Sequence, residues 1–142
     1  MIKLNKIISL YKRYSEIINY LIFGFLTTII SLVVYYLLTY KFLDPNKSIC
    51  LQIANIISWI AAVTFAYVTN RKYVFNSKNK NKKKEISNFV LARIITLLLD
   101  MAIMALGVTI LHFNDKFIKI ISQVVVIVSN YVFSKLFVFR KR

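Results

Sequence analysis

Arg71-Lys72-Tyr73-Val74-Phe75 and Lys135-Leu136-Phe137-Val138-Phe139, the second followed by Arg140, state one pattern twice: cation, gap, aromatic ring, valine, phenylalanine. Each closes a long apolar run that carries an asparagine in its last turns, Asn70 in the first case and Asn130 in the second. Cations and aromatic rings gather where an apolar helix leaves a membrane. The pattern therefore marks the same end of a repeated unit, a helical hairpin made twice.

Composition points the same way. With 58% hydrophobic residues in a chain of 142, a mean hydropathy of +0.64, two glycines and one proline, too few polar side chains remain to coat a soluble globule. An all-α integral membrane protein is expected. The formal net charge of +15 is concentrated between the apolar runs, so it reads as topological charge and not as a nucleic-acid surface. A single cysteine, Cys50, excludes an internal disulfide, and no Cys/His cluster has metal-ligand spacing, so neither metal nor cofactor is expected. The lone His112 reads as a helix end or loop residue.

Four spans are expected, at about 17–40, 49–69, 87–111 and 117–133, each near the length of about 20 residues that crosses the hydrocarbon core. Ahead of the first, residues 1–16 place Leu4, Ile7, Ile8, Tyr11 and Tyr14 at helical spacing opposite Lys3, Lys6, Lys12 and Arg13, the pattern of an interfacial amphipathic helix. The first span is too long for a cleaved signal and is expected to remain. Asp44-Pro45-Asn46 predicts a tight turn after it.

The second span repeats Ala54, Ser58, Ala62 and Ala66 every fourth position, a seam that admits another backbone closely. Asn55 and Trp59 border the seam, with Gln52 one turn earlier. A tryptophan far from either interface needs a partner for its N–H and is expected inside the protein. Residues 76–86 form a basic loop, with Lys78, Lys80, Lys82, Lys83 and Lys84 among Asn and Ser, and read as a solvated linker.

The third span carries Arg93 and Asp100, seven residues apart and so on one face, with Thr96 and Gly107 on the same stripe. A charge near mid-bilayer costs about 2.5–3.5 kcal/mol on insertion scales, so both must face protein, water or a counter-charge. About 10 Å of helix axis separates them, which makes a direct pair marginal and calls for a further polar partner. The fourth span follows a loop holding Asn114, Asp115, Lys116 and Lys119, and offers Ser122, Gln123 and Ser129 as polar points. The first segment, the 71–84 stretch and the last residues carry fifteen of the twenty cations, which predicts both termini in the cytoplasm and two parallel-repeat hairpins.

Gly24 with Thr27 and Thr28, Asn70-Arg71-x-Tyr73-Val74-Phe75, Arg93, and Asn130 with Lys135-x-Phe137-Val138-Phe139 together resemble the GtrA-like family over almost the whole chain, read as a single transmembrane domain, 1–142. The resemblance implies a multi-pass protein of the bacterial cytoplasmic membrane. Its implied work is moving (flipping) a polyprenyl-phosphate-linked sugar across the bilayer for cell-surface polysaccharide or teichoic acid glycosylation, in some relatives beside a polyprenyl-phosphate glycosyltransferase. On that reading, Arg71, Lys72, Lys135 and Arg140 hold the lipid phosphate, Arg in bidentate fashion. Tyr73, Phe75, Phe137 and Phe139 meet the tail or a sugar face, and Asn55, Arg93 and Asp100 line a polar path. Asn70 and Asn130 serve as polar groups at helix ends.

Competing readings are a non-transporting accessory subunit of a membrane glycosyltransferase and a small proton-coupled exporter, the latter weakened by a first span without an acidic residue. An enzyme is not expected, because Ser, His and carboxylates do not converge. Four spans make a thin wall for a sugar path, so a homo-oligomer such as a dimer is expected, with small-residue faces as its contacts.

Overall fold

The opening forty residues contain one glycine and no proline, and they form a single uninterrupted helix, α1, Ile2–Lys41. In this computed structural model residues 1–44 and 46–140 are described; Pro45 of the expected turn and the expected terminal cations Lys141 and Arg142 lie outside them. Three further helices follow, each ending in a wider π-helical turn. They are α2, Ser48–Thr69 continued by Asn70–Val74; α3, Lys82–Met104 continued by Ala105–Ile110; and α4, Asp115–Phe133 continued by Ser134–Val138. Among the described residues these four helices are long and apolar enough to cross a membrane, and no strand occurs. The chain divides into two compact units, Met1–Asn76 and Ser77–Arg142, each a helical hairpin.

In the first unit α1 packs on α2. Ala54, Ser58, Ala62 and Ala66 are all buried, as the every-fourth spacing predicts, because a seam without bulk lets two backbones approach. That packing lies within the chain, so the seam is not the free face for a second copy that the sequence suggested. Near the end of α2, the Asn19 amide donates to the Tyr73 carbonyl at 3.4 Å and Phe23 stacks on Tyr73 with ring centroids 5.3 Å apart. The level of Tyr73 thus meets α1 at Asn19–Phe23, and the turns before Asn19 overhang the end of α2. The amphipathic segment and the first span, expected as separate pieces, are one helix, with Leu4, Ile7, Ile8, Tyr11 and Tyr14 exposed.

The second unit begins earlier than the basic loop predicted. The Asn81 side chain accepts from the Lys84 N–H at 3.1 Å and caps α3, so Lys82, Lys83 and Lys84 lie in its first turn and are not linker. Glu85 in that turn suits the positive end of the helix and is buried at 1% exposure, with the Ser77 hydroxyl donating to its Oε2 at 2.7 Å. His112, with φ 57, terminates α3 in the left-handed region, and Asn76, with φ 48, does the same after α2.

Close approach of α3 and α4 depends on Gly107. A Cβ there would stand 2.6 Å from Cγ2 of Ile118 and 2.9 Å from its Cγ1 and Cδ1, closer than packed carbons come. Gly107→Ala is expected to destabilise the second hairpin by about 2 kcal/mol through overpacking. Thermal unfolding in detergent should show the loss, and adding Ile118→Val should recover part of it; equal stability of Gly107→Ala and the parent would mean the helices can part there without cost.

Candidate functional site

Hydrocarbon offers no hydrogen-bond partners, so polar groups on a span must be matched by other spans. The stripe Thr96, Asp100, Gly107 of α3 is matched by α4 in antiparallel order. Thr96 Oγ1 lies 2.8 Å from Asn130 Oδ1 and 3.0 Å from the Arg93 carbonyl. Four residues on, Asp100 receives Lys119 Nζ at 3.1 Å and 2.9 Å on its two oxygens, and the Ser122 hydroxyl donates to Oδ1. Gly107 then meets Ile118.

This corrects the sequence reading of two residues. Lys119 is not a loop cation, because α4 starts at Asp115 under the Asn114 cap and carries Lys119 inward by one turn. Asp100 does not rely on Arg93, because Lys119 and Ser122 occupy its carboxylate. Arg93 instead lays its guanidinium over the Phe89 ring, 4.8 Å from the centroid, and makes no side-chain hydrogen bond or ion pair among the described residues. Phe89 is held in turn by Phe139, centroids 5.9 Å apart, and is 1% exposed. The second hairpin therefore has a neutralised pair at Asp100 and an unneutralised cation at Arg93.

The duplicated phrase is duplicated in structure. Phe75 N–H bonds the Asn70 carbonyl at 2.9 Å and Phe139 N–H bonds that of Ser134 at 2.8 Å, both five residues back. A turn of that width puts residues four and five apart on one face. Asn70, Val74 and Phe75 are consequently buried together, and so are Ser134, Val138 and Phe139. Burial makes Phe75 and Phe139 packing residues and not the tail or sugar contacts expected of them. Tyr73 and Phe137 remain exposed. Lys72 sits over the Tyr73 ring at 5.2 Å, and Lys135 approaches the Tyr131 hydroxyl at 3.4 Å. Lys72, Lys135 and Arg140 are exposed and Arg71 half-buried. Each ending thus presents cations beside one open aromatic ring.

Asn70 and Asn130 are both buried, and Asn130 is the partner of Thr96, well inside the hairpin. Asn55 is exposed on α2, and Trp59, expected inside, is 39% exposed, because α1 covers the seam at Ser58 and leaves the next position turned away. Glu85 was overlooked in the sequence, where it stands behind three lysines; the Asn81 cap four residues before it is the signal that could have located it.

Two hairpins of span-length apolar helices, the second joined by an ion pair between its two helices, define a small multi-pass membrane protein. The chain belongs to the family described as GtrA/DPMS, transmembrane domain, which matches residues 19–139 and places it among bacterial membrane proteins. It is 40% identical over 128 residues to the cell wall teichoic acid glycosylation protein GtcA of Listeria monocytogenes serovar 1/2a, covering 88% of this chain and 85% of that one. Similarity is also found to the protein of the same name from Listeria innocua serovar 6a, at 40% over 130 residues, covering 89% of this chain and 86% of that one. An uncharacterized membrane protein of Bacillus subtilis, YwcD, is 34% identical over 125 residues, covering 86% of this chain and 94% of its own length. No solved structure matches.

Proposed function

We propose that this protein carries a polyprenyl-phosphate-linked sugar across the cytoplasmic membrane for cell wall glycosylation. The observation that carries the reading is Arg93: a guanidinium within a span, seated on an aromatic ring, whose nearby carboxylate is already occupied by Lys119. A cation so placed is expensive unless an anion visits it, and a lipid phosphate is an anion that can reach that depth while its tail stays in hydrocarbon. Within the second hairpin, the exposed Lys135 and Arg140 are suited to collecting that phosphate at the interface, with Phe137 beside the tail. The end of the first hairpin, with the exposed Lys72, the half-buried Arg71 and Tyr73, is suited to an interfacial phosphate in its own right. The names of the Listeria relatives support glycosylation of the wall as the destination. Lys119, now paired with Asp100, drops out of the turn charge, so the cation excess at the other helix ends grows and favours both termini in the cytoplasm.

Arg93→Ala is expected to reduce binding of polyprenyl phosphate, and transfer of its hexose derivative in reconstituted vesicles, by about 10- to 100-fold, the worth of a charge-assisted hydrogen bond to phosphate. Arg93→Lys should retain part of both. Undiminished transfer by Arg93→Ala removes this residue from the mechanism. No transfer by the parent protein, with loss of a partner glycosyltransferase from cells that lack it, would make it an accessory subunit instead.

A further inference from the structure

On α2, Gln52, Asn55 and Trp59 are spaced by three and four residues and so share one helix face, two turns or about 10 Å long. All three are exposed, and none of their side chains makes a hydrogen bond among the described residues. The face carries two amides, each able to donate and accept, and an indole with one N–H donor. Acyl chains satisfy none of these groups. Within the first hairpin α1 does not cover them either, since it takes the neighbouring seam of Ala54, Ser58, Ala62 and Ala66.

We infer that Gln52, Asn55 and Trp59 form a sugar-binding stripe that receives the carbohydrate of the lipid-linked cargo. The inference rests on the transport reading above and names residues for the sugar within the first hairpin alone. A pyranose has an apolar C–H face that stacks on an indole and a rim of hydroxyls that both donate and accept, which is what side-chain amides one and two turns away can answer. A second copy of the chain is a poorer occupant. Transmembrane helices pair through small residues that let backbones approach, and a tryptophan at one end of the stripe keeps them apart.

Trp59 is the sole tryptophan, so the intrinsic emission of the full chain reports on this site directly. The protein in nanodiscs would be titrated with polyprenyl phosphate carrying a hexose and, separately, with polyprenyl phosphate alone. The expected result is a saturable change in Trp59 emission with the sugar-bearing lipid only. Asn55→Ala and Gln52→Ala should each weaken that lipid by about 3- to 10-fold while leaving the affinity for bare polyprenyl phosphate unchanged, which also reports that the variants are folded. Equal affinity for the two lipids with emission unchanged overturns the stripe and leaves the transport reading standing. Failure of both lipids to bind overturns the transport reading and the stripe with it. Emission that follows protein concentration and not lipid assigns the face to a second copy and likewise overturns the inference.

Discussion

Lys119→Ala should cost the protein about 2.5–3.5 kcal/mol, the largest stability loss expected of any single charge removal on its surface, because it strands Asp100 as an unpaired carboxylate within a span. Lys119 is 47% and Asp100 19% exposed in the pair. In water that exposure would let solvent screen the interaction, but along a span the open side meets acyl chains. Removing Asp100 instead leaves a lysine whose long stem can carry its ammonium toward the α3–α4 turn one helical turn away, so Asp100→Asn should cost less. The amide can also still accept from Ser122. The double variant Asp100→Asn/Lys119→Met, with no charge left to strand, should recover most of the loss. Thermal unfolding in detergent and in nanodiscs checks all three. If Lys119→Ala unfolds with the parent, or if the double variant is the least stable of the set, the pair is not what joins α3 to α4.

Why this pair escaped the sequence while the spans did not is a matter of range. Span lengths, the seam of alanines and the repeated endings are local: each is set by residues within two or three turns of one another, and spacing alone puts Arg93, Thr96, Asp100 and Gly107 on one face. Which residues answer that face is decided nineteen to thirty-four positions away, by how deeply α4 enters beside α3. A lysine four residues past a loop looks topological until the Asn114 cap is seen to start the helix before it. The same shift of a helix start, at Asn81, turned three lysines of an apparent linker into a first turn and buried Glu85. The π turns were hidden for another reason. The matched phrase shows that the two endings are alike, but a widened turn has no apolar period of its own over five residues, and so the joint burial of Val74 with Phe75, and of Val138 with Phe139, appears only when the hydrogen bonds are known.

The second large effect separates packing from chemistry at one side chain. Phe89→Ala removes a ring that is 1% exposed and packed at a tilt against Phe139, and should destabilise the second hairpin by about 3 kcal/mol. The lower end of the usual range for a buried phenylalanine applies, since helices in lipid gain packing but no transfer from water when they associate. Phe89→Leu keeps most of the volume and should cost less than about 1.5 kcal/mol. Yet leucine has no π face to hold the Arg93 guanidinium, which now lies 4.8 Å from the ring centroid. A lost cation–π contact of about 0.5–2 kcal/mol predicts a fall of roughly 2- to 30-fold in affinity for polyprenyl phosphate at nearly unchanged stability. Phe89→Tyr, which retains the face, should bind like the parent if its hydroxyl is accommodated. Melting temperature and lipid affinity measured on the same preparations distinguish the cases. If affinity in Phe89→Leu follows stability and nothing more, the ring is only filler between α3 and the end of α4. If affinity drops while the melting temperature stays, Phe89 positions Arg93, and the buried Phe139 that supports it is connected to phosphate binding through packing alone.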